Sequence, residues 1–128
     1  MNERTGRCLC GTVRYRAEPP WTWVSHCHCE SCRRATSSPI TTFFAVAWSR
    51  FAFTAAEPHA YASSAGVRRT FCGTCGSPIA FEHEDAPDEI HVYVSTLDEQ
   101  NDVMVENHDY WSEHVPWLQL VDDLPRNR

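Results

Sequence analysis

The chain of 128 residues contains no lysine, so all 11 of its basic side chains are arginines. With 17 acidic residues the formal charge is −6. Binding to a phosphate backbone needs a positive footprint, which this composition does not provide, so nucleic acid is not an expected partner. Two local arginine pairs, Arg33 with Arg34 and Arg68 with Arg69, remain as possible anion sites. No apolar run approaches the roughly 20 residues that cross a bilayer, and a membrane span is not expected. The opening MNERTGRCLCG lacks the apolar segment of a secretory signal. The expected compartment is therefore the cytoplasm, where cysteines stay reduced and clustered cysteines read as metal ligands or redox groups before disulfides.

Helical signals are also scarce. One short turn is expected through ESCRRAT (30–36) and another through LDEQND (97–102), with Asp98 as its cap. Strand signals dominate instead. TVRYRA (12–17) and EIHVYV (89–94) alternate apolar with polar residues, the period of a strand with one dry face. ITTFFAVAW (40–48) is apolar on both faces and reads as an inner strand. SPIAF (77–81) adds a short one, with Ile79 and Phe81 on the same side. Prolines and glycines punctuate the chain without any low-complexity linker. The expectation is a mostly β, single domain over 1–128.

The chain is rich in cysteine, and its seven thiols fall into three groups: CLC (Cys8, Cys10), CHCESC (Cys27, Cys29, Cys32) and CGTC (Cys72, Cys75). A tetrahedral zinc with bonds of about 2.3 Å brings neighbouring sulfurs to about 3.8 Å, a spacing that two cysteines on one tight turn can meet. Gly73 and Gly76 suit the unusual backbone angles of such a knuckle. Counting resolves the groups into one four-sulfur set and one three-sulfur set. Four protein ligands close a structural site, whereas three leave a position open for water or substrate. Spacing leaves the pairing open. Cys29 and Cys32 with Cys72 and Cys75 would make a zinc ribbon, setting aside Cys8, Cys10 and Cys27 with His26 or His28. A redox dithiol at CGTC is disfavoured, because Pro78 and a strand follow it in place of a helix.

The motifs GRCLCGTVRYR, CHCESCRRATSSP, VRRTFCGTCGSPIAF, VYVSTLD and HVPWLQLVDDLPR together resemble the glutathione-dependent formaldehyde-activating enzyme family, which includes the centromere protein V type of domain. The resemblance runs from Gly6 to Arg126. It implies a β-tent fold with two zinc ions per chain: a structural one on Cys8, Cys10, Cys72 and Cys75, and a catalytic one on Cys27, Cys29 and Cys32. It further implies a carbon–sulfur lyase type of activity, in which a small thiol such as glutathione and a small aldehyde are joined or released. The chain departs from the usual family pattern at Ser37, Ser95 and Ala56, where relatives often carry glycine.

On that basis Arg33 and Arg34 are the expected contacts for a substrate carboxylate. His26, His28 and Glu30 are the candidates nearest in sequence for moving a proton, although strand alternation turns both histidines away from Cys27 and Cys29. His91 reads as a surface residue on the outer face of its strand, and His59, His83, His108 and His114 show no ligand spacing. Trp111 and Trp117 are expected to close the core, and Asp122 and Asp123 to cap the last turn. The competing reading is a non-catalytic, zinc-stabilised binding module of the same fold. Nothing in the sequence sets an oligomeric state.

Overall fold

The computed structural model describes residues 2–128. A three-stranded antiparallel sheet is built from β1 (Arg4–Arg7), β2 (Arg14–Ala17) and β5 (Phe51–Phe53), in the order β1-β2-β5. The second sheet has seven strands: β3 (Trp23–Cys27), β4 (Thr41–Ala47), β6 (His59–Ser64), β7 (Val67–Phe71), β8 (Pro78–His83), β9 (Glu89–Tyr93) and β10 (Asn107–Asp109). Their spatial order is β10-β3-β4-β9-β8-β7-β6, and every pairing is antiparallel except β10 with β3. The fold is mostly β, as the alternation patterns predict.

Among the described residues there is one α-helix, α1 (Glu30–Thr36), and it covers the expected stretch. The Cys29 side chain accepts a hydrogen bond from the Cys32 N–H at 3.3 Å and so caps its start. It ends at Ser37, whose φ of 54° is left-handed, a conformation that glycine adopts without steric cost. The second expected helical turn does not form: residues 97–102 run as bend and turn, and a 3-10 turn occupies Val94–Thr96 instead. Asp98 caps nothing there, because its carboxylate accepts from the Thr5 hydroxyl at 2.7 Å and ties the segment to β1.

The main core lies between the sheets. Tyr15, Ala17 and Phe51 of the small sheet are buried in one cluster with Val24, Phe44, Val46, Ile90 and Val92 of the large one. β4 sends Phe44 and Val46 into this core and Phe43 into a second cluster on the opposite side, which is why both of its faces are apolar. A register irregularity between Thr70 and Phe71 in the β7–β8 pairing alters the alternation of β8. Ile79 and Ala80 both enter the main core, while Phe81 packs with Cys27, Cys32 and Phe43. The expectation that Ile79 and Phe81 share a side therefore fails. The C-terminal segment also departs from expectation, since Trp117 is 71% exposed and closes no core.

Candidate metal centres

The four-sulfur group forms where two tight turns meet. CLCG and CGTCG each end in a glycine with φ +80°, Gly11 and Gly76, which lets both loops curl back on themselves. Gly73 contributes differently from expectation. It has no left-handed φ, but a Cβ there would lie 2.4 Å from the His59 ring. Cys8 and Cys10 stand 3.7 Å apart at sulfur, and Cys10 and Cys72 3.8 Å apart. All four sulfurs lie within 4.8 Å of one another. Backbone amides point at them: Val13 N–H to Cys8 at 3.3 Å, and Thr74 and Cys75 N–H to Cys72 at 3.3 and 3.4 Å. The Ser77 hydroxyl, together with nearby amides, pulls the Cys75 pKa down to about 5. Spacing and donors both fit a tetrahedral thiolate-bound metal.

The three-sulfur group sits where β3 runs into α1. Cys27 is the last residue of β3, Cys29 caps the helix and Cys32 lies on its first turn, with all three sulfurs within 4.8 Å. Hydrogen bonds from Cys27 and Cys32 hold the Cys29 pKa far below the ordinary thiol value, and the same contacts hold Cys27 far above it. The three sulfurs fit a metal ion with one coordination position left open. Both groups can hold metal ions, and they are the 4 + 3 division of the cysteines.

The three sulfurs line a cavity of about 670 Å³ on the face of the large sheet that turns away from the main core. Its floor is aromatic: Trp23 from β3, Phe43 from β4, Phe81 from β8 and His91 from β9. Arg69 of β7 reaches in from the side. Its guanidinium donates from Nη1 to Cys32 Sγ at 3.6 Å and from Nη2 to Ser31 Oγ at 3.2 Å, and it lies 5.0 Å from the Phe81 ring centroid. Asp109, Tyr110, Glu113 and Arg128 form the rim. Tyr110 has a left-handed φ of 56° with a bulky side chain, a conformation held against its own preference.

Several expected residues lie elsewhere. Arg33 donates from Nε to the His28 carbonyl at 3.1 Å, and Arg34 pairs with Glu30 at 2.8 Å on the surface. Neither lines the cavity of the three cysteines. Arg34 lines a second cavity of about 640 Å³ that shares Ser31 and Arg69 with the first. His91 is not the surface residue expected from β9: it faces the cavity, held by Glu89 at 2.6 Å.

His26 and His28 do turn away from the sulfurs, but into a buried histidine cluster rather than into solvent. His28 Nε2 lies 2.8 Å from His108 Nδ1, and His108 Nε2 lies 2.9 Å from the Asp122 carboxylate. Burial, followed by repulsion from His108, pushes the His28 pKa down to about 4. Asp122 is thus more than a cap: it accepts from Leu124 N–H at 3.0 Å and also holds a buried histidine. Trp111 packs on His28, His108 and His114, with the Arg126 guanidinium 4.2 Å from its ring centroid. No regular spacing joins residues 26–28, 108 and 122, so the sequence offered no signal for this cluster beyond the HDYW and DD runs themselves.

A mostly β domain with two thiol clusters suited to metal, one of them opening onto a cavity, is the class that fold and site define. The sequence model of the glutathione-dependent formaldehyde-activating enzymes matches residues 3–113, and the chain belongs to that family. An uncharacterized lyase of Schizosaccharomyces pombe is 34% identical over 83 residues, which is 65% of this chain and 60% of that protein. The match thus spans less than two thirds of that relative's length. The crystal structure of a Rhodobacter sphaeroides protein has the same fold, with a TM-score of 0.65 over 77% of this chain and 91% of that one, at 23% identity. Among the described residues no helix is long and apolar enough to cross a membrane.

Proposed function

We propose that this protein is a cytoplasmic, zinc-dependent carbon–sulfur lyase that makes and cleaves thiol–aldehyde adducts of the S-(hydroxymethyl)glutathione type. On this reading the β-tent domain spans 1–128 and holds two zinc ions. Cys8, Cys10, Cys72 and Cys75 would hold the structural ion, and Cys27, Cys29 and Cys32 the catalytic one. The observation that carries the reading is the contrast between the clusters: one offers four sulfurs, the other only three that line a cavity. Zinc held by three thiolates would lower the pKa of a further thiol so that it is available as thiolate near neutral pH.

The chain's own residues supply the rest. The thiol gives up its proton to solvent, its sulfur bonds to the aldehyde carbon, and the carbonyl electron pair moves onto oxygen, which then takes a proton from water. Arg69 is the cation beside the sulfurs, and its guanidinium is placed to donate to the oxygen as charge develops there. Arg34, and with less direct access Arg33, would bind a carboxylate of the thiol. Cleavage is the same path reversed.

The test is metal content per chain by native mass spectrometry with zinc supplied, with and without glutathione. Two zinc ions, with glutathione adding only to the two-zinc species, are expected. A single zinc that cannot be raised to two would leave the non-catalytic binding module in its place.

A further inference from the structure

Resting on the reading above, we propose that the aldehyde partner carries an aromatic ring, which the cavity floor receives while the polar body of the thiol lies along the rim and in the neighbouring cavity. Formaldehyde would add only one carbon and one oxygen to the thiol sulfur. The cavity beside the three cysteines holds about 670 Å³, which is in the range of sites for drug-sized ligands.

The shape and chemistry of the floor select the ring. Phe81 and His91, paired across β8 and β9, lie nearly parallel at 12° with centroids 5.6 Å apart. Trp23 meets His91 edge-on at 4.7 Å, and Phe43 meets Phe81 edge-on at 6.1 Å. These rings come from four strands of one sheet, so their positions are set by the backbone register and do not depend on a ligand. Aromatic pairs prefer such offset and edge-to-face contacts, and a fifth ring entering this set gains contacts that an aliphatic chain or a hydrogen atom does not.

Charge meets the floor only at Arg69, whose guanidinium lies 5.0 Å from the Phe81 ring centroid; the carboxylates stand at the edge. The Asp109 carboxylate already accepts from the Ser25 hydroxyl at 2.6 Å and from Asn127 Nδ2 at 3.1 Å, and Glu113 accepts from Glu30 N–H at 2.8 Å. Arg128 makes no ion pair among the described residues and remains for an anionic thiol. The second cavity, reached past Ser31 and Arg69 and lined by Arg34 and Tyr61, gives that thiol a place of its own. The floor is left to the aldehyde.

The experiment compares two unreactive thioethers on the zinc-loaded protein by calorimetry. S-benzylglutathione stands for the aryl adduct and S-methylglutathione for the formaldehyde adduct. About tenfold tighter binding of the benzyl compound is expected, a difference of about 1.4 kcal/mol. Phe81→Leu and Trp23→Ala, each checked for a native thermal transition, should both shrink that ratio. Equal affinities, no binding of either compound, or a ratio unchanged in both variants would overturn the inference. Turnover of glutathione with formaldehyde and with benzaldehyde is measured alongside. A benzyl preference without turnover of either aldehyde would support the pocket and sink the lyase reading. Turnover of formaldehyde without a benzyl preference would do the reverse.

Discussion

The Arg69 guanidinium lies 3.6 Å from the sulfur of Cys32, although 36 residues separate them in the chain. β7 carries the arginine to the cavity wall and α1 carries the cysteine to its floor end. This places a permanent cation beside the three-sulfur cluster, where the proposed reaction develops negative charge on oxygen.

Arg69→Met is therefore expected to lower kcat for adduct formation by about 100-fold, the usual scale for losing one donor to a developing oxyanion. Arg69→Lys keeps the charge but loses the planar fork, and should recover part of the loss. Steady-state kinetics measure both. Equal activity in all three proteins would remove Arg69 from the reaction.

The two cysteine clusters should respond differently to loss of a sulfur. Cys75→Ser removes one of four ligands from a site whose metal binding is coupled to folding, and is expected to unfold the chain. Cys29→Ser should abolish activity and release one zinc while the far-ultraviolet circular dichroism stays native. Zinc analysis and circular dichroism on the pair would show whether the roles are instead exchanged.

The left-handed φ at Ser37 predicts a stabilising substitution. Ser37→Gly relieves a conformation that costs a side-chain-bearing residue about 1 kcal/mol, offset in part by the greater freedom of glycine in the unfolded chain. Chemical denaturation should show a net gain of up to about 1 kcal/mol. A loss would mean that the Ser37 side chain contributes more than the turn geometry suggests.

The Asp122–His108 pair sets a pH dependence. The His108 ring, which hydrogen-bonds the Asp122 carboxylate, holds its pKa below the usual carboxylate value. A group whose folded pKa is depressed contributes stability above its unfolded pKa and loses it as pH falls through the folded one. Asp122→Asn should therefore melt at lower temperature than the parent at neutral pH, and the gap should close as pH drops through the carboxylate range. A gap independent of pH would show that the side chain acts only by packing.

Arg34→Gln should raise the KM for an anionic thiol with little change in kcat, since Arg34 lines the second cavity and does not touch the three sulfurs. Saturation kinetics in glutathione check this. An unchanged KM would take Arg34 out of substrate binding.

Much of this protein was legible along the chain, because its strongest signals are local. Alternation in TVRYRA and EIHVYV marked buried faces that the sheets do bury, and ESCRRAT became the one α-helix. A cysteine turn needs only its neighbours and a glycine at Gly11 or Gly76 to curl, so both knuckles could be located by inspection. Spacing could not say which knuckles meet, since a loop of any length can close a metal site. The sheets decided that, by bringing residues 8 and 10 against 72 and 75.

The face of EIHVYV judged to be outward was misread for the same reason. Period two reports that a strand has two faces, but not what covers each of them. His91 and Phe81 look into a cavity because α1 and the 109–113 segment fold over that side of the large sheet. Thus the sequence by itself determined the mostly β class, the short helix and the cysteine turns, all governed by neighbours in the chain. Only the tertiary structure decided the aromatic floor, Arg69 beside Cys32 and the buried His28–His108–Asp122 chain, because each joins strands or segments whose separation leaves no period to read.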